Sequence, residues 1–130
     1  MHITLEADYA VRIVNCLAKN NVRMDAKTLS AQTGVTLRFS LKILRKLVAQ
    51  GIVRSFKGTQ GGYELARPAD QITLGEVIEC VEGVITFSRC VDNEEFVCTC
   101  GDSADCRFNK AYKELSQMVR EKLYSITFAQ

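Results

Sequence analysis

The sequence predicts a mainly α fold with a small β wing, an α+β winged helix-turn-helix arrangement that ends in one long pairing helix. Three observations predict it. Apolar residues recur at intervals of three and four through most of the chain, a Gly-containing turn joins two of the resulting helices, and a Gly-rich, Lys-tipped hairpin follows the second of them.

The first helix is expected over Leu5 to Asn20, where Tyr9, Ile13 and Leu17 fall one turn apart and Ala10 and Val14 widen the stripe. Asn20-Asn21 ends it. Asp25 is suited to cap a shorter helix, Ala26 to Thr33, and Gly34 to close it in the left-handed conformation. Thr36 then caps a third helix that runs to Gln50 and stops at Gly51. Its expected core face is Leu37, Leu41, Leu44 and Val48, with Arg38, Lys42, Arg45 and Lys46 around the rest.

Ile52 to Phe56 and Tyr63 to Ala66 are short β-prone runs separated by Lys57-Gly58-Thr59-Gln60-Gly61-Gly62, which makes them a hairpin. A plain β-turn accounts for these glycines but not for their place beside Arg54 and Lys57. Glycines let a backbone approach phosphates closely and the cations neutralise them. GxxGG is not a Walker loop, because no Lys-Ser/Thr pair follows it. After Pro68, Thr73 and Glu76 form a capping box for a helix to about Glu82 with Leu74, Val77, Ile78 and Val81 inward. Cys80, like Cys16 in the first helix, reads as a small core residue. The last helix, about Asp105 to Ser125, carries Phe108, Ala111, Tyr112, Leu115, Met118, Val119 and Leu123 at helical spacing. It is expected to bury that stripe against the body and a second copy of itself.

The bulk numbers bound the rest. At 130 residues, 47% apolar and 25% charged, the chain is long enough for one hydrophobic core. The expected division is a head over 1–83, a cysteine-rich loop over 84–104, and the pairing helix with its tail over 105–130. There is no apolar run of about 18 residues, and MHITLEADYAVRIV carries acids where an export signal needs a uniformly apolar stretch. The expectation is a soluble, cytoplasmic protein with no membrane partner.

A net charge of +2 conceals an asymmetry, with eleven Lys or Arg against five acids in residues 1–70 and six against ten in 71–130. Six basic residues and no acid fall between Thr36 and Lys57, the footprint of a polyanion-binding face. A solvated basic surface on an ordinary core helix weighs equally until the adjoining hairpin is included. His2 is the only histidine, which excludes Ser-His-Asp and Cys-His catalysis and a two-Cys, two-His zinc finger from the structured chain. No acid-base pair or nucleotide loop is recognisable either, so the chain is not expected to be an enzyme.

Four of the six cysteines, Cys90, Cys98, Cys100 and Cys106, fall in one aperiodic run as C-x7-C-x-C-x5-C. Without an export signal, such thiols point to metal binding or redox sensing. The paired C-x2-C knuckles of zinc sites are absent from the run, and widely spaced thiolates suit a bulkier iron-sulfur cluster better. A disulfide switch or freely reactive thiols remain alternatives.

Taken together, TGVTLRFSLKILRKLVAQGIVRSFKGTQGGYELAR, the helix opening ITLGEVIE, the cysteine run and the long last helix resemble the Rrf-type family of bacterial transcription regulators over nearly the whole chain. That family includes IscR-, NsrR- and RirA-like iron-sulfur regulators and the cluster-free CymR. The resemblance implies a DNA-binding repressor that recognises a palindromic operator on double-stranded DNA as a homodimer and carries a 2Fe-2S or 4Fe-4S cluster. By the same resemblance Cys100 and Cys106 match the last two cluster ligands, Cys90 is the first, and Cys98 is its alternate. IscR-like members have a histidine where this chain has Asn109. NsrR-like members complete the site with an acid near the start of the first helix, contributed by the other subunit, and Asp8 stands at that position. A first-turn acid that simply stabilises the helix dipole is the alternative role for Asp8. The implied DNA contacts are Thr36, Arg38, Phe39, Ser40 and Lys42 toward the major groove, with Arg54, Lys57 and Thr59 on backbone or minor groove. Leu41 stands where IscR-like members carry an acidic base-reading residue. The alternatives of the same resemblance are a cluster-free thiol switch and a CymR-like adaptor for a biosynthetic enzyme.

Overall fold

Side-chain caps set where the helices begin. The Thr4 hydroxyl accepts from the Ala7 amide and opens α1 (Leu5–Asn20), Asp25 accepts from Thr28 and opens α2 (Ala26–Thr33), and Thr36 accepts from Phe39 and opens α3 (Leu37–Ala49). Thr73 and Glu76 form the full reciprocal box at the start of α4 (Leu74–Glu82). Each such cap contributes about 1 kcal/mol by satisfying an amide that the helix cannot. Asn21 and Gly34, at φ 50° and 76°, end α1 and α2 in the left-handed region.

The computed structural model describes residues 2–92 and 106–129. Beyond α4 they contain a single turn, α5 (Arg89–Asp92), that the sequence does not announce, and α6 (Arg107–Ser125). Ile13, Val14 and Leu17 of α1, Leu29 of α2, and Ile43, Leu44 and Leu47 of α3 meet Ile52, Val53, Ile72 and Val77 in one core. Among the described residues no helix is long and apolar enough to cross a membrane.

The core face of α3 differs from the expected one. Ser40, Ile43, Leu44 and Leu47 point inward, whereas Leu37 and Leu41 are 37% and 40% exposed. Leu44 belongs to both stripes, so periodicity alone leaves the phase open. Packing decides it: Val35, buried just before the cap, fixes how the chain enters the helix, and the Ser40 hydroxyl donates to the Val35 carbonyl at 3.4 Å.

β1 (Val53–Phe56) and β2 (Gly62–Leu65) pair antiparallel in the register Val53 with Leu65 through Phe56 with Gly62. Met24 adds a bridge on the far side of β2, exchanging hydrogen bonds of 2.9 and 2.7 Å with Tyr63. Gly62 sits at φ 143° with the Met24 carbonyl 2.7 Å from where a Cβ would stand, so only glycine fits there. Past α6 the tail turns back to the head. The Leu74 amide donates to the Ile126 carbonyl at 2.8 Å, the Phe128 amide donates to Ala69 and Ile72, and the Phe128 ring enters the core.

Candidate nucleic-acid interface and thiol site

Arg38, Lys42 and Arg45 recur at helical spacing on the outward side of α3, and all three are exposed. Five other cations of the structure are matched: Arg12 with Asp8, Arg23 with Glu64, Lys46 with Glu6, Arg67 with Glu76 and Arg120 with Glu79. Among the described residues Arg38, Lys42, Arg45, Arg54 and Lys57 have no acidic partner. Uncompensated cations gathered on one helix and its adjoining hairpin make a surface suited to a polyanion.

The individual residues divide. Thr36 is exposed and its hydroxyl is engaged in the helix cap, accepting from Phe39 at 3.3 Å. Phe39 is half-buried, packed edge-on against Tyr9 with ring centroids 5.5 Å apart, and Lys42 lies 5.6 Å from its ring centroid. Ser40 departs from the sequence expectation. It is fully buried, so its hydroxyl holds the start of α3 and is not presented to a groove.

On the hairpin, Arg54, Lys57 and Thr59 are exposed as expected. Sequence reasoning missed the residue that braces it. The Arg23 guanidinium stacks 3.4 Å from the Phe56 ring centroid, donates to the Gln60 carbonyl at 3.1 Å and pairs with Glu64 at 3.6 Å. Arg23 lies between α1 and α2, remote from the hairpin in sequence, and no local pattern announces such a contact.

Two cysteines of the run, Cys90 and Cys106, are tied to the first turn of α6. Cys90, on α5, has its sulfur 3.1 Å from the Ser88 hydroxyl, and Asn109 donates to the Cys90 carbonyl at 3.4 Å. The Ser88 hydroxyl, followed by the Asn109 amide, holds the Cys90 thiol below its ordinary pKa. Cys106 occupies the N-cap position of α6. Asn109, buried one turn later, thus brings the two ends of the cysteine run to one place. Cys98 and Cys100 lie outside the described residues. Asp8 sits in the first turn of α1, 2.9 Å from Arg12 of its own chain. Cys16 and Cys80 are half-buried against the core, where burial pushes both thiols up. A thiol kept low beside hydrogen-bond donors is chemically suited to bind a soft metal, and buried thiols with raised pKa are not.

α6 is fastened to the head through Glu79 of α4. Its carboxylate accepts from Arg120 at 2.8 and 3.0 Å, from the Tyr124 hydroxyl at 2.6 Å and from the Ile85 amide at 2.7 Å. Burial pushes this carboxyl up, but the hydrogen bonds outweigh it and hold it below its ordinary pKa. Ser116, also inward, accepts from the Phe87 amide at 2.9 Å. The opposite side of α6 exposes Phe108, Tyr112, Leu115 and Met118.

The sequence profile of the Rrf2 family, described as an iron-dependent transcriptional regulator, matches residues 3–130. The chain belongs to the Rrf2 family. Protein aau3 of Rhizobium meliloti is 31% identical over 98% of this chain and 82% of its own length. The HTH-type transcriptional regulator IscR of Sodalis glossinidius is 30% identical over all of this chain and 78% of its own. Among solved structures, CymR, the global cysteine regulator of B. subtilis, superposes with a TM-score of 0.78 at 24% identity, covering 98% of this chain and 93% of that one. At that identity the likeness shows the fold alone: the helices and two-stranded wing are those of a winged helix-turn-helix protein.

As a member of the Rrf2 family the chain is a DNA-binding transcription regulator. Arg38, Lys42, Arg45, Arg54 and Lys57, among the described residues without an acidic partner, lie on α3 and the wing, the elements that a winged helix-turn-helix brings to a duplex.

Proposed function

We propose that this Rrf2-family chain acts as a homodimer on a palindromic operator and that an iron-sulfur cluster sets its affinity. One observation carries the proposal, the placement of α6. Its first turn joins Cys90 and Cys106, its middle is fastened to α4 by Arg120, and a stripe of Phe108, Tyr112, Leu115 and Met118 is left exposed along it. A change at the thiols therefore has a rigid path to the reading head and to a second subunit.

In this reading α3 enters the major groove, with Arg38 and Lys42 on bases or phosphates and Thr36 and Phe39 at its approach. Arg54, Lys57 and Thr59 hold the flanking backbone or minor groove. Cys90, Cys100 and Cys106 hold the cluster, with Cys98 as alternate and Asp8 of the second subunit as fourth ligand. The donor chemistry fits, since thiolates are the ligands of such clusters and the Cys90 thiol is held low by Ser88 and Asn109. A bound cluster supplies redox and nitric-oxide reactivity, and a carboxylate ligand among thiolates makes it easy to displace. For Asp8 to serve, its ion pair with Arg12 has to open; an exposed pair of this kind contributes less than about 1 kcal/mol.

Anaerobic purification followed by iron and sulfide assay, visible absorption and operator titration tests the proposal. A coloured protein whose DNA affinity changes on chelation is expected. A colourless, iron-free protein whose triple Cys-to-Ser variant at 90, 100 and 106 binds DNA normally would overturn it. A cluster-free thiol switch is the second reading, favoured by the lowered Cys90 thiol and by Asn109 in place of a histidine ligand. Mass spectrometry of oxidised protein, showing a disulfide or modified Cys90 with no iron, would select it.

A further inference from the structure

Leu37 and Leu41 stand one turn apart on the outward side of α3. The core has no place for them, because Ser40, Ile43, Leu44 and Leu47 fill the inward positions. They line one shallow concavity with Phe39, Arg38, Lys42 and Arg45. Among the described residues those three cations have no acidic partner, so the rim of the concavity calls for a polyanion.

The apolar strip inside that rim narrows the choice of polyanion. The major groove of B-form DNA is wide enough for a helix, and its apolar feature is the thymine C5-methyl group. A-form RNA has a major groove too narrow for side chains to read, and uracil has no such methyl. We infer that Leu37 and Leu41 are specificity-determining residues that read thymine methyl groups in the major groove, between the contacts made by Arg38, Lys42 and Arg45. The inference rests on the operator-binding reading and adds to it the kind of base that α3 selects. Each leucine would bury a methyl group that water otherwise surrounds, and removing that methyl weakens binding by roughly fourfold per half-site.

Duplexes enriched from a random DNA library by the wild-type protein supply the probe. Each conserved thymine is replaced in turn by deoxyuridine, which removes the methyl and leaves the hydrogen-bonding edge intact. Wild type is expected to lose about fourfold at one or two thymines of each half-site. Leu41→Ala is expected to bind the parent duplex more weakly, to become indifferent to uridine at one of those positions, and to keep the wild-type salt slope because no phosphate contact is lost. Leu37→Ala should behave likewise at the other position. Both side chains are exposed, so neither variant leaves a core cavity. Wild type binding every uridine duplex as tightly as its parent would overturn the inference, as would a Leu41→Ala protein with undiminished methyl sensitivity. A consensus sequence without methyl dependence sinks this inference alone; enrichment of no sequence sinks the operator reading with it.

Discussion

Glu79 shows how one side chain can join two parts of the molecule. With only 9% of its side chain exposed, it gathers Arg120, Tyr124 and the Ile85 amide, so its carboxylate ties α4 to α6 and to the segment between α4 and α5. Its pKa lies below the ordinary carboxylate value in the folded state. Folding therefore favours the ionised form: the stabilisation is complete above the unfolded value, near about 4.3, and is lost as pH falls through the lower folded value. Replacing Glu79 by Gln is expected to cost about 1–3 kcal/mol near neutral pH, because charge-assisted hydrogen bonds are lost. It should also flatten the acid side of the stability curve relative to wild type. Urea denaturation at a series of acidic pH values measures both, and parallel curves for the two proteins would show that Glu79 does not carry the acid dependence. This hub was not legible in the sequence. The caps at Thr36 and Thr73 were, because a cap and its amide lie three residues apart, whereas Glu79 and Arg120 meet across a separation of 41.

At the scale of elements, the wing and α3 show the same division between local and distant causes. Glycines flanked by β-prone residues suffice to place a hairpin after α3, and the antiparallel register is the one such a turn produces. What holds the hairpin in position is remote: Met24 pairs with Tyr63, and Arg23 covers Phe56 and grips the loop at Gln60. The phase of α3 differs from the one its periodicity predicts for a related reason, since its apolar residues outnumber its core positions and tertiary packing selects among them. Arg23→Ala removes the brace and leaves the hairpin's own hydrogen bonds. The expected protein keeps its helical content and loses little stability, roughly 0.5–1 kcal/mol for a cation over an aromatic ring near the surface. It is expected to bind DNA more weakly, with a salt slope lower by about one as the proposed Lys57 contact to phosphate loosens. Circular dichroism with operator titration at several salt concentrations checks this, and an unchanged salt slope would show that Arg23 does not position the wing.

At the scale of the whole molecule, Cys90 and Cys106 are both tied to the start of α6. Spacing alone marks Cys90 and Cys106 as members of a set, and the fold adds Asn109, which links α5, bearing Cys90, to the helix capped by Cys106. The same helix turns Asn109 and Ser116 inward and leaves Phe108, Tyr112, Leu115 and Met118 outside, with Met118 64% exposed. A helix that buries polar residues and exposes its apolar stripe lacks part of its core, and in the proposed dimer a second copy aligned along the stripe supplies it. Leu115→Glu places a charge in the middle of that stripe while the inward contacts at Glu79 and Phe87 stay intact. Wild type is expected to sediment at twice 14.5 kDa and the variant at 14.5 kDa with unchanged helicity. Operator affinity should then fall by about a hundredfold or more, because two half-sites are no longer engaged by linked heads. Binding to a single half-site should change little. A wild-type monomer at micromolar concentration, or a variant that still pairs, would refute the α6 interface and with it the route by which the thiols reach the second subunit.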